Sequence, residues 1–331
     1  NGNRTSIVYP GHKTVTYTYD ALNRMTSVKD WNNQTTTYTY LTDDRISQVT
    51  YPNGTYTQYT YDAAGRMTGL QNKKTNGTVI STYAFTLDNA GNHLSETIND
   101  AHTLAALSSL ANETTTYPNM PYNRIAQSNS NVTGSSTFTH DGTGNITQEN
   151  SEAFTFDLND NLLSVTGNHP ATYTYDGLQK RRSRSANGTT TRYVLDILGM
   201  EQVLMETNGS NTPTAYYIYG ATGLVSRILP NNTTHYYHYD FRGSTTVMTD
   251  AAANITHSYA YDDFGSTLAA NEADFNPYRY NGQYGVQYDA PNRIFMRARY
   301  MNPKTGRFIS EDPIWFTNLY VYVSNNPVKN V

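Results

Sequence analysis

The chain of 331 residues holds 30 Tyr against 2 Trp, 15% charged side chains and a net charge of −4, a balance that excludes an electrostatic footprint for nucleic acid or an anionic membrane. It holds no Cys, which excludes disulfides, thiolate metal sites and cysteine nucleophiles. The polar mass is Thr and Asn rather than charge, and with Tyr and Gly it composes pleated strands joined by tight turns.

The chain opens on NGNRTSIVYP, in the middle of a pattern, which predicts that any targeting segment lies upstream. The first complete unit follows at 14–28. Val15, Tyr17 and Tyr19 alternate with Thr14, Thr16 and Thr18, so rings share one face of a strand and hydroxyls the other. Asp20 then opens a turn, Asn23 suits a positive φ, and Met25 starts a return strand.

The same phrase recurs at Tyr61-Asp62 with Gly65, Tyr175-Asp176, Tyr239-Asp240 with Gly243 and Tyr261-Asp262 with Gly265. Phe156-Asp157 is a further copy, and Leu87-Asp88, His140-Asp141 and Leu195-Asp196 are weaker ones. Gln179 alone breaks the rule of Gly, Asn or Asp three residues after the acid. The spacing, about 19–22 residues, is that of a repeat array. A lone hairpin is barely stable, so successive units are expected to pair edge to edge and stack their tyrosines into ladders.

Residues 99–135 lack strand alternation and read as an irregular insertion, a short helix or a surface loop. The basic run KRRSR, 180–184, reads as a solvated strand edge. In HYYHY, His235 and His238 fall on opposite faces of a strand and do not chelate one metal. DLNDN (157–161) and DGTG (141–144) are repeat turns rather than a calcium loop or a protease motif. From about 276 the register gives way to a denser stretch, so the expected organisation is an array over 1–275 and a C-terminal unit over 276–331.

On these hairpins, and on RYMNPKTGRFISEDPI (299–314) followed by NLYVYVSNNPVKNV (318–331), the chain resembles the Rhs/YD-repeat family. That family comprises bacterial polymorphic toxins, the C component of insecticidal toxin complexes, Gram-positive wall-associated proteins and the animal teneurins. The resemblance implies an all-β strip of antiparallel hairpins that spirals into a hollow shell, with the Rhs-associated core as a plug at one end. It also implies a cargo, the toxin or effector polypeptide C-terminal to the core, and a secreted or cell-surface location. A secretion or cap component is a further implied partner.

The resemblance further implies that the parent protein cuts its own chain just after the core in a single-turnover, aspartate-dependent reaction. The motif carries onto Arg299 and Asp312; a buried ion pair holding the plug is the competing reading. Where the family has a Gly-rich link between DPI and NLY, this chain has only Trp315–Thr317. It stops at Val331, before the expected second acid and scissile bond. No cofactor, no membrane span and no enzyme acting on other molecules are expected. The alternative function is a surface adhesin or glycan-binding module using exposed tyrosines.

Overall fold

The computed structural model describes residues 2–108, 110–118, 121–314 and 318–327; Trp315–Thr317 and Val331 lie outside them. Among these residues the chain folds into three antiparallel sheets of nine, sixteen and four strands, each a meander in which every strand pairs with its neighbours in sequence. The first runs from Ser6–Tyr9 to His93–Asn99, the second from Thr115–Thr116 to Thr267–Glu272, and the third from Gln287–Ala290 to Arg307–Phe308. The helix Ala101–Leu107 lies between the first two, and the stretch read as irregular also contributes strand Gln127–Ser130, paired with Gly134–His140. No helix among the described residues is long and apolar enough to cross a membrane.

Each repeat is built the same way. Asp20 Oδ1 accepts the amides of Leu22 at 2.9 Å and Arg24 at 3.0 Å, and Asp62 Oδ1 those of Ala64 and Arg66, both at 2.9 Å. Asp176, Asp240 and Asp262 do the same two and four residues on. The third residue after the acid is left-handed, with φ of 84° at Gly65, 80° at Gly243 and 91° at Gly265. Gln179, the exception by residue type, adopts φ 61° all the same, because Asp176 fixes the turn around it.

One feature repeats with the turn. Tyr17 opposes Val28 and Thr18 opposes Ser27, but Tyr19 opposes Met25, so Thr26 is an extra residue on the return strand. The register slips at the same place before Tyr40, Tyr61, Tyr175, Tyr239 and Tyr261. A bulge in every unit adds right-handed twist on one side of the strip, which is a physical cause for a long meander to curl rather than lie flat.

Where a tyrosine closes the outgoing strand of a unit, its hydroxyl then reaches back. Tyr19 donates to the Arg4 carbonyl at 2.9 Å, Tyr40 to Met25 at 2.6 Å, Tyr61 to Ile46 at 2.8 Å, Tyr239 to Leu224 at 2.6 Å and Tyr261 to Thr245 at 2.7 Å. In three of these five the acceptor opens the return strand of the preceding unit, and in a fourth, Leu224, it is that strand's second residue, so these repeats latch onto the ones before them. Phe cannot do this. Tyr239→Phe is therefore expected to cost about 1–2 kcal/mol, since it strands a buried carbonyl, and Tyr61→Phe, half-buried, about 0.5–1 kcal/mol. Urea midpoints check both; no loss from Tyr239→Phe would mean the latch is idle.

The sheets are layered. Tyr9, Val15, Val28, Tyr38 and Val49 of the first sheet pack against Leu204, Tyr216, Ile218 and Tyr236 of the second. The opposite face of the second sheet carries Tyr217, Tyr237 and Tyr239 against Tyr278, and Tyr259 and Tyr261 against Tyr280, Ile294 and Met301. Strands Thr234–Tyr239 and Thr245–Thr249 are consequently buried at every position, while first-sheet strands alternate. His235 and His238 sit on opposite faces of that central strand, one beside Arg227 and His257, the other against Tyr51 and Thr249.

The basic run departs from its sequence reading. Strand Arg181–Ala186 turns Arg181 inward, where its side chain is 1% exposed against Asp289 of the third sheet. The alternation that buries Tyr173 and Ala171 on the neighbouring strand buries Arg181 as well, and its counter-charge comes from 108 residues away. Arg184 follows it, donating to the Asp289 carbonyl at 2.7 Å.

Candidate functional site

Arg299 opens strand Arg299–Asn302, and Asp312 lies just past strand Arg307–Phe308, which pairs with it. The structure brings the two side chains together: Arg299 Nη2 donates to Asp312 Oδ2 at 2.5 Å, and Arg299 Nη1 to the Leu319 carbonyl at 3.2 Å. That carbonyl also takes the Asp312 amide at 2.9 Å, and the Ile314 amide donates to Asp312 Oδ1 at 3.0 Å. The guanidinium lies 3.6 Å from the centre of the Phe308 ring. Burial pushes the Arg299 pKa down and Asp312 opposes this, so the pair is held partly out of water, not sealed from it.

A cavity of about 450 Å³ opens beside the pair, lined by Arg299, Asp312, Glu311 and Leu319 of the core and by Asp160 and Lys180 of repeat turns. The repeat array thus supplies one wall and the C-terminal unit the other. The sequence reading passed over Glu311, although it lies within the quoted motif. Arg124 Nη2 donates to Glu311 Oε1 at 2.9 Å, as does the Tyr320 hydroxyl at 2.9 Å, and the latter also reaches the Gly144 carbonyl at 2.7 Å. Gly144 holds φ at 93°, and a Cβ there would press on the Glu311 carboxylate and the Tyr320 hydroxyl, so a side chain at this turn is strained and displaces the groups that seat the core. The only signal for Glu311 in the sequence was its place beside Asp312, since its cation comes from the irregular stretch.

Chemically the arrangement offers a carboxylate with one oxygen on a guanidinium and one on an amide, at the edge of a cavity large enough for an extended peptide segment. Among the described residues no group of three or more His, Asp or Glu is placed to hold a metal ion.

A family model described as the Teneurin YD-shell matches residues 5–87 and 99–330. The tRNA3(Ser)-specific nuclease WapA of Bacillus spizizenii is 32% identical over 207 residues, and the tRNA nuclease WapA of Bacillus subtilis 31%. The match takes in 58% of this chain and 9% of each of those proteins. Among solved structures, a TcdB2-TccC3 crystal structure superposes with a TM-score of 0.64 at 16% identity, over 97% of this chain and 22% of that one. A Tc holotoxin pore from Photorhabdus luminescens gives 0.64 at 16%, over 95% and 21%. The chain thus spans about a tenth of the relatives and a fifth of the structures it resembles, and the structural likeness establishes the fold.

Proposed function

The chain belongs to the Teneurin YD-shell family, and on that premise we propose that it is the closing segment of a shell that encloses the polypeptide following its core. In this reading residues 1–275 are wall, 276–331 are plug, and the enclosed polypeptide is a toxin or effector delivered outside the cell. The single observation that carries the reading is the two-sided burial of the second sheet. Its tyrosine ladder faces inward onto the C-terminal unit, so the inner face of the strip is built to pack against polypeptide. The same burial argues against an adhesin that stacks sugars on the ladder, because Tyr237 and Tyr259 are 0% exposed.

In the same reading Arg299 and Asp312 carry the self-cleavage of the parent chain. Asp312 moves the proton of the attacking water or hydroxyl while Arg299 holds the scissile carbonyl by its remaining N–H groups. The nuclease activity in the relatives' names would belong to such an enclosed polypeptide, consistent with the net charge of −4 here.

The test is the chain expressed with the coding sequence that follows Val331, with and without Asp312→Asn, read by intact mass. Two fragments from the parent and one from the variant are expected, a loss of at least about 100-fold in cleavage rate. Cleavage of the variant at the parental rate would leave the pair as an ion pair that only holds the plug.

A further inference from the structure

A cavity of about 400 Å³ lies where three parts of the chain meet. Tyr59, Met67 and Leu70 line it from the first sheet, Phe241 from a repeat turn of the second, and Gln283 and Tyr284 from the short 3-10 helix Gly282–Tyr284. It shares no lining residue with the cavity at Arg299 and Asp312.

The charges at its wall are already matched. Arg45 Nε donates to Asp43 Oδ1 at 3.0 Å, and Arg242 Nε to Asp240 Oδ2 at 3.4 Å, so an ion entering here finds no counter-charge. Hydroxyls are spent as well, that of Tyr61 on the Ile46 carbonyl and that of Tyr239 on the Leu224 carbonyl. Two polar groups are not. The Tyr59 hydroxyl and the Gln283 side-chain amide have no hydrogen-bond partner among the described residues, and one comes from the first sheet, the other from the helix. Burial pushes the Tyr59 phenol up, so it keeps its proton to donate.

The rings divide in the same way. Phe241 packs on Phe85 at 4.5 Å, and the Arg45 guanidinium covers Tyr61 at 4.4 Å. Among the described residues Tyr59 and Tyr284 stack on no other ring, and Tyr284 is 43% exposed.

Two open rings, two unspent polar groups and a neutral, mostly apolar lining fit a flat ring with one polar substituent, and cavities that take small ligands begin at about 300 Å³. We propose that this cavity binds an uncharged aromatic molecule carrying a hydroxyl or ring N–H. Its ring lies against Tyr59 and Tyr284, and its polar group bonds the Tyr59 hydroxyl or the Gln283 amide. Because Tyr59 belongs to the first sheet while Gln283 and Tyr284 follow the second, such a molecule ties the C-terminal stretch to the repeat array. The site stands whether or not the parent chain cleaves itself.

The experiment is a titration of the 331-residue chain, labelled with ¹³C-methyl methionine, with p-cresol and with indole, and with cyclohexanol as the non-aromatic control. The Met67 methyl, identified by its loss in Met67→Leu, reports the site, while Met248 and Met301, 0% exposed, should stay unshifted. The expected result is a saturable Met67 shift with at least one aromatic probe at a dissociation constant on the order of 1 mM, with cyclohexanol at least about tenfold weaker. Tyr284→Ala should weaken the aromatic probe roughly tenfold with the melting temperature unchanged, and Tyr59→Phe combined with Gln283→Leu by about the same factor. The double variant keeps both rings, so the test stays decisive should Tyr284→Ala disturb the helix. No saturable Met67 shift with either aromatic probe overturns the proposal. So does cyclohexanol binding as well as they do, or aromatic binding that neither variant weakens.

Discussion

Asp289→Ala is expected to destabilise the chain by roughly 3–5 kcal/mol, the largest single-site loss anticipated here. The reason is the charge it abandons. Arg181 Nη1 donates to Asp289 Oδ2 at 2.5 Å and to the Tyr300 hydroxyl at 2.6 Å, Nη2 bonds Gln287, and the guanidinium lies 3.8 Å from the Phe295 ring centre. With both ion-pair side chains under 5% exposed, water cannot replace the lost carboxylate. The pair also joins the second sheet to the third, so its loss loosens the plug as well as the wall. Replacing both partners, Arg181→Met with Asp289→Leu, should recover part of the loss, because apolar groups of similar volume need no counter-charge, while Arg184, 3.6 Å from Asp289 and 20% exposed, is left to water. Urea unfolding of the three proteins checks this; a loss below about 1 kcal/mol for Asp289→Ala would mean that water or a rearranged partner already solvates Arg181.

The second large effect is acid sensitivity. His238 is 0% exposed between the two long sheets, with Nε2 at 3.0 Å from Thr249 Oγ1 and Nδ1 unpartnered among the described residues. Burial pushes its pKa down to about 3, and burial with the Arg227 charge pushes His235 down to about 4. The unfolded chain therefore takes up protons below pH 6.5 that the folded chain refuses. Stability is full above that pH, falls as pH drops, and levels off only below the folded values. At pH 4 the His238 contribution alone is roughly 3 kcal/mol. Glu206, raised to about 7 by burial, works in the opposite sense, so the total profile mixes signs. Comparison with His238→Gln isolates the term: the parent should lose roughly 3 kcal/mol relative to the variant between pH 7 and pH 4. Parallel profiles would show that the imidazole is hydrated.

What the sequence revealed follows from which interactions are local. Alternation of Tyr with Thr, the acid and the positive-φ residue lie within ten positions of one another, and the turn at Asp20 could be read from them. The bulge before Tyr19 could not, because the displaced Thr26 looks like any strand residue until its partners are counted across the ladder. Nor could the layering. Val15 and Tyr38 of the first sheet and Tyr216 of the second carry no mark that they will meet. Arg181 shows the cost most clearly: its position alternates inward, but its residue type argued for solvent, and only Asp289 of the third sheet reverses that. At the candidate site the motif named Arg299 and Asp312, which do meet, whereas Glu311 and Arg124 are joined across 187 residues and left no local trace.

The central claim is enclosure, and protection is its most direct measure. The chain would be expressed with the coding sequence that follows Val331, purified natively, and treated with a nonspecific protease before intact mass analysis. The account predicts that the polypeptide beyond the core co-elutes with the shell and survives digestion until the fold is opened at pH 4 or in urea. A following polypeptide that is digested at once in native buffer, while the hairpin array stays intact, would contradict it.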